Sequence, residues 1–291
     1  MNPPQSPKGN VADVGSSQQN FDPGYQTLIL TLSNVGEINS AALQSSNLAS
    51  ITRLSINNAG ITGIAENAFS SFLNLRNLSL GGNMLSQINT NWFANPAALR
   101  ELTLTHNLVE VVNESTVNRL TNLTKLILNK NRIKHVHPNS FSSQSLLAEL
   151  DLSENRLSWV SPQVFRSLRS LRSIGLDRNP WNCSCDHKDF VDSIKELKSR
   201  SQLERPMDVT CETPPPLKGQ PVWNVSVCPV LPPSVMSTYP TTDPTSTGTF
   251  EASSLSGTET SVHPKPTNTP VTPSKTTGPP GGFESPHILD I

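Results

Sequence analysis

Apolar residues recur along this chain at a fixed interval. The stretch Leu75-Arg76-Asn77-Leu78-Ser79-Leu80-Gly81-Gly82-Asn83-Met84-Leu85 shows the unit, L-x-x-L-x-L-x-x-N-x-L. Its first position falls on Ile51, Leu75, Leu99, Leu123, Leu147 and Leu171, each 24 residues after the last and with no insertion. Positions four and six of the unit read Leu54/Ile56, Leu78/Leu80, Leu102/Leu104, Leu126/Leu128, Leu150/Leu152 and Ile174/Leu176. An apolar-x-apolar alternation puts both side chains on one face of a short strand. One such strand cannot bury that face alone, whereas stacked copies can, so the period predicts a solenoid.

The rest of each unit supports the same reading. Position 11 is Ile61, Leu85, Val109, Ile133 and Leu157, and position 14 is Ile64, Ile88, Val112, Val136 and Val160. Position 19 is Phe69, Phe93, Val117, Phe141 and Phe165, which predicts an aromatic spine on the side away from the strands. The asparagines at position nine are Asn83, Asn107, Asn131, Asn155 and Asn179. A buried amide both donates and accepts, so each can satisfy backbone groups that the turn after the strand leaves unpaired. Ala59 and Val35 occupy that position in the first two units and cannot do this. The N-terminal end is therefore expected to open first. Residues 27–50 read as a degenerate first repeat in the same register, with Leu30 and Leu32 at positions four and six.

These motifs resemble the leucine-rich repeat family. The resemblance extends past the array. After Asn179 the pattern changes to Pro180-Trp181-Asn182-Cys183-Ser184-Cys185, and residues 188–200 carry Phe190, Ile194 and Leu197 at helical spacing. Then come Cys211-Glu212-Thr213-Pro214-Pro215 and Cys228. This is similar to the cysteine-rich C-terminal cap of extracellular leucine-rich repeat proteins of the slit, Toll-like receptor and platelet glycoprotein Ib types. Four cysteines allow three pairings, of which Cys183–Cys185 is strained at so short a separation. The resemblance implies Cys183–Cys211 and Cys185–Cys228. No cysteine precedes position 183, so the family's N-terminal cysteine cap has no counterpart here.

The expected fold class is thus an α/β solenoid: a leucine-rich repeat horseshoe with a parallel concave sheet, a disulfide-bonded C-terminal cap and a disordered Ser/Thr/Pro-rich tail. Residues 1–26 are rich in Pro, Gly and polar side chains and read as a disordered or loosely packed N-terminal segment. Residues 27–50 are the degenerate repeat, 51–179 the six regular repeats and 180–228 the cap. Residues 229–291 hold 12 prolines and 22 serines and threonines among 63 residues, too few apolar side chains to offset the cost of ordering. Such tracts read as mucin-like stalks, or as plain disordered tails.

Composition narrows the function. The 291-residue chain has a formal net charge of −1, which offers no sequence-wide basic field for nucleic acid. No run is long and apolar enough to enter a membrane, and residues 1–20 are polar, so no signal peptide is predicted within the chain. No nucleophile elbow, phosphate loop, HExxH or paired-carboxylate motif appears, so no catalytic residue and no cofactor are expected. Cys183, Cys185 and His187 have residue types that suit zinc, but all four cysteines fit the disulfide cap, so no metal is expected.

The binding surface is expected where residues flank the inward leucines, at positions three, five, seven and eight. In the first three repeats these are uncharged or isolated charges. In the later repeats they change sign: Lys125, Ile127 and Lys130, then Glu149, Asp151 and Glu154, then Asp177 and Arg178. Mixed surface charge is ordinary solvation residue by residue, but a sheet of seven rungs about 4.8 Å apart suits a macromolecule better than a closed pocket. Ile127 is the apolar exception and the candidate anchor. Five sequons, at Asn77, Asn113, Asn122, Asn182 and Asn224, favour glycosylation and secretion. A glycan on Asn77 would occupy the concave face early in the array, so the partner is expected around residues 125–178. The predicted function is an extracellular, non-catalytic recognition module for a protein or glycoprotein ligand. An intracellular scaffold of the same repeats, favoured by the polar N-terminus, and an immune recognition receptor are the alternatives.

Overall fold

The computed structural model describes residues 11–14, 26–39, 43 and 46–228. The 229–291 tail, including Ser/Thr/Pro tract and any stalk, lies outside the described residues.

The repeat is realised as a parallel sheet of eight short strands, one per turn of the solenoid and in chain order. They are β1 (Val11–Val14), β2 (Thr27–Leu30), β3 (Arg53–Ser55), β4 (Asn77–Ser79), β5 (Glu101–Thr103), β6 (Lys125–Ile127), β7 (Glu149–Asp151) and β8 (Ser173–Gly175). From β3 onward the register repeats the sequence period: Arg53 pairs with Asn77, Asn77 with Glu101, Glu101 with Lys125, Lys125 with Glu149 and Glu149 with Ser173. Leu102, Leu126, Leu150 and Ile174, the middle residues of the last four strands, are fully buried.

The first repeat departs from the expected register. Leu28 pairs with Leu54, so Leu28 and Leu30, and not Leu30 and Leu32, fill the two inward positions. Leu32 is only half-buried. The strand is shifted by two residues, and Thr31 and Leu32 are absorbed before the corner, where Asn34 again aligns with Asn58 and the Val35 N–H reaches the Ala59 carbonyl at 2.9 Å. A shift of two keeps every side chain on its face, so alternation alone cannot detect it. Of residues 1–26, expected to be disordered or loosely packed, only 11–14 and 26 are among the described residues. Val11–Val14 forms β1, paired in parallel with Thr27–Leu30.

The side opposite the sheet is mostly turns and short 3-10 segments. Two pairs of short strands run there, Gly36–Ile38 with Ile61–Ile64 and Val111–Val112 with His135–Val136. Among the described residues of the repeats the one α-helix is α1 (Pro162–Ser167), capped by Ser161 accepting from the Gln163 N–H. The aromatic spine forms in part. Phe69 and Phe93 stack with ring centroids 5.7 Å apart, Phe72 meets Phe69 edge-on, and Val117 and Phe141 are fully buried. Phe165 is displaced to a half-buried position, because α1 turns Val164 into the core in its place.

The asparagine ladder ties each repeat to the one before it. The Asn131 side chain donates to the carbonyls of Leu104 and Leu128, and its oxygen accepts from the Val109 N–H at 3.0 Å. Asn83, Asn107, Asn155 and Asn179 repeat this geometry. Because each amide reaches backward, Asn83 still secures the repeat that begins at Ile51 by accepting from Ala59 and Ile61. The repeat that begins at Thr27 is the first without such a tie.

The C-terminal end is sealed differently. The Ile174 N–H donates to the Gln202 carbonyl and its carbonyl accepts from Glu204, so the chain after the cap helix covers the last strand edge. An uncovered edge would present a row of unpaired backbone groups. Helix α2 (Lys188–Ser199) buries Phe190, Val191, Ile194 and Leu197, and Phe190 packs on Trp181 with centroids 4.8 Å apart. Trp181 is fully buried and its ring N–H donates to the Leu176 carbonyl at 3.0 Å. Disulfides join Cys183 to Cys211 and Cys185 to Cys228. The first is buried in the core, while Cys185 lies at the surface.

Candidate binding surface

Strand register puts identical repeat positions side by side, so the exposed face of the sheet is a set of columns one residue wide. The charges expected to meet a partner also meet each other across neighbouring rungs. Lys125 pairs with Glu149 at 2.7 Å, and Glu154 lies 3.9 Å from Lys130 and 3.4 Å from Arg178. Lys125, Lys130 and Arg178 keep over a third of their side-chain surface in water. Exposed pairs of this kind contribute about 0.2–1 kcal/mol, so an incoming partner can exchange them at small cost.

Position eight has a further property. Asn34, Asn58, Gly82, His106, Lys130, Glu154 and Arg178 all have φ between 53° and 67°. The chain must turn left-handed there to leave the strand, a conformation that favours Gly and Asn. The later repeats nevertheless place long side chains at the rim.

Two expected contact residues sit differently from the sequence reading. Asp177 is not on the surface; its side chain is 2% exposed and meets Arg205 of the cap at 3.3 Å. Burial pushes its carboxyl above the usual value, and Arg205 pulls it part of the way back. The cap segment covers this last rung, which no repeat pattern announces. Ile127 is half-buried, not exposed, because the neighbouring rungs Thr103 and Asp151 pair on either side of it. Asp151 is half-buried too, with one oxygen held by the N–H and hydroxyl of Ser153. Gly175 makes room for it: a Cβ there would come within 2.4 Å of that oxygen.

The early rungs carry a feature that sequence reasoning missed. A shallow hollow of about 280 Å³ lies on the concave face, among Ile29, Arg53, Ser55, Asn77, Ser79 and Glu101. Ser79 of this lining donates its hydroxyl to the Asn57 side-chain oxygen, which also accepts from the Gly81 N–H. The signal was present in the run of small residues at positions five and seven. Asn77 borders the hollow and is half-buried, whereas Asn113, Asn122 and Asn224 are exposed. Asn122 already donates its amide to the Ala97 carbonyl, and Asn182, half-buried, accepts from the Ser184 N–H.

Among the described residues, no group of three or more His, Cys, Asp or Glu side chains is placed to hold a metal ion, and no helix is long and apolar enough to cross a membrane. The leucine rich repeat family profile matches residues 49–109 and 121–180. The matched residues fold as a leucine-rich repeat solenoid. No curated protein matches the chain. Among solved structures, this leucine-rich repeat array is similar to that in the crystal structure of a TLR13–ssRNA13 complex, with 29% identity, a TM-score of 0.48, and coverage of 55% of this chain and 26% of that one. The present chain therefore spans about a quarter of that chain. It is also similar to human 5T4 (Wnt-activated inhibitory factor 1, trophoblast glycoprotein), with 19% identity, a TM-score of 0.53, and coverage of 71% and 88%. That likeness is one of fold: a leucine-rich repeat solenoid.

Proposed function

We propose that the chain is an extracellular, non-catalytic recognition module, part of a cell-surface or matrix-associated receptor, that binds a protein or glycoprotein through its concave face at β6 to β8. The observation that carries this reading is the charged set Lys125, Lys130, Glu149, Glu154 and Arg178, arranged on one face of the sheet and, among the described residues, ion-paired with one another. A partner with a complementary sign pattern re-pairs these groups, and Ile127 lies among them as an apolar contact. Two disulfides in the cap support an oxidising compartment. Glycans on the exposed asparagines 113, 122 and 224 leave β6 to β8 free.

The test is a photo-crosslinking amino acid at Ile127, with the same group at Glu114 on another side as control. A single cell-surface protein trapped from Ile127 and not from Glu114 is expected. Its affinity should fall about tenfold or more in K130E/E154K, a double reversal that keeps the local charge sum. Equal affinity in that variant rules out these rungs as the contact.

A further inference from the structure

A second face of the same repeats has chemistry that the concave face lacks. Just past the asparagine corner, positions ten, twelve and thirteen point outward while eleven and fourteen point into the core. On consecutive rungs these outward triplets read Met84, Ser86, Gln87; then Leu108, Glu110, Val111; then Arg132, Lys134, His135; then Arg156, Ser158, Trp159. Backbone bonds hold the rungs in step. The Lys134 N–H reaches the Glu110 carbonyl at 2.9 Å, the Arg156 N–H reaches Ile133 at 2.8 Å, and Val111 pairs with His135.

Three cations thus share this face with one carboxylate. Lys134 bonds Glu110 at 2.8 Å, while the guanidinium groups of Arg132 and Arg156 make no hydrogen bond or ion pair among the described residues. The Lys134 ammonium, with Arg132 and Arg156 beyond it, holds the Glu110 carboxyl below its ordinary range. Around this charge lie large exposed apolar side chains: Met84 at 47%, Val111 at 39% and Trp159 at 42%. The Trp159 ring is steadied by His187 of the cap, with centroids 5.6 Å apart. The sequon residues Asn113 and Asn182 border this face and do not occupy it.

We propose that this lateral face, built on Arg132, Lys134 and Arg156 with Val111 and Trp159 beside them, docks an acidic segment of a second protein that carries apolar side chains between its carboxylates. Lys134 already holds one carboxylate, that of Glu110, while Arg132 and Arg156 are open to others. A plain polyanion has no use for the apolar groups and is repelled by Glu110, which stands among the cations. From the Met84 rung to the Arg156 rung is about 14 Å, the length of four or five extended residues. The face is separate from the concave rungs, so either site can fail without the other.

The test uses the full chain and a fluorescein-labelled peptide of three Glu-Leu-Asp-Phe units, by anisotropy at physiological salt. A heparin oligosaccharide and a poly-uridine oligonucleotide are run in parallel. The peptide is expected to bind more tightly than either polyanion. Its affinity should fall about tenfold or more in R132E/R156E, fall several-fold in Trp159→Ala, and stay unchanged in R166E/R169E, which alters exposed charges on α1 and the turn after it. Trp159 is the most exposed indole of the array, so binding should also blue-shift its emission, and Trp159→Phe should abolish that shift while retaining binding. No peptide binding, an affinity indifferent to R132E/R156E, or tighter polyanion binding that ignores Trp159→Ala would each overturn the proposal.

Discussion

The side-chain oxygen of Asn131 accepts the backbone N–H of Val109 at 3.0 Å, one repeat back along the chain. The same amide donates to Leu104 and Leu128. Asn131→Ala leaves the Val109 N–H buried without its acceptor, while the Leu104 and Leu128 carbonyls keep the amides of Asn107 and Asn155, and is expected to cost about 1–3 kcal/mol. A urea melt reads this as a lower midpoint with an unchanged slope. Hydrogen exchange on the parent chain should show residues 27–50 opening before residues 171–211, since the first repeat has no backward-reaching amide and the last is sealed by the cap. The reverse order would contradict the ladder's role.

The two phenylalanines at equivalent positions should behave differently. Phe141 is fully buried, and Phe141→Ala is expected to cost about 3–5 kcal/mol. Phe165 is half-buried behind Val164, so Phe165→Ala should cost clearly less, while Val164→Ala should cost more than its exposed neighbours. Thermal melts of the three variants compare them directly. Equal losses at Phe141 and Phe165 would restore the uninterrupted spine.

Asp177 makes stability depend on pH with a definite sign. Its folded carboxyl is shifted up, chiefly by burial. The folded state therefore holds the proton more tightly than the unfolded chain, and Asp177 subtracts stability as pH rises above the ordinary carboxylate value of about 3.9. The loss is complete above the raised folded value. Asp177→Asn should accordingly raise the melting temperature at pH 7 relative to its effect in acid. Arg205→Ala removes the one opposing charge and should destabilise at pH 7 but little below pH 4. Melting curves at both pH values decide this; an Arg205→Ala loss that is larger in acid would be inconsistent with the assignment.

Gln144 is fully buried and its amide donates to the Val117 carbonyl at 2.7 Å, yet its side-chain oxygen has no hydrogen-bond partner among the described residues. The equivalent position is Leu120 in the repeat before and Leu168 in the repeat after, both buried. Gln144→Leu exchanges an unpaired buried acceptor for apolar packing at the loss of one hydrogen bond. A stabilisation of about 1 kcal/mol is expected in chemical denaturation. A clear destabilisation would mean that the Val117 bond outweighs the orphan oxygen.

A 24-residue period carries part of this fold and not the rest. It fixes which side chains point inward, because burial of Leu54, Leu78, Leu102 and their successors is set by alternation within a strand and repetition between strands. It also places the asparagines, since a turn with unpaired backbone groups needs an amide whichever repeat it closes. The cysteine spacing, read through the family resemblance, located the cap. The period does not fix register where the pattern is degenerate. Leu28, Leu30 and Leu32 alternate equally well in two alignments, and only the pairing of Leu28 with Leu54 chooses between them. Nor does it foresee a contact supplied from outside the array. Asp177 reads as one more concave residue, and it is buried because Arg205, 28 positions later, is folded over the last rung.

The sequence by itself thus determined the solenoid, its inward faces and the order of its columns, because those follow from periodic burial that every rung repeats. Only the tertiary structure decided which charges are shared and which are left over. Lys125 and Glu149 stand 24 residues apart in the chain and 2.7 Å apart in space, while Arg132 and Arg156, at the same separation, share one position on a different face and make no ion pair among the described residues. Charge pairing depends on which side chains the parallel register sets opposite each other and on what the cap covers, and those distances exist only once the rungs are stacked.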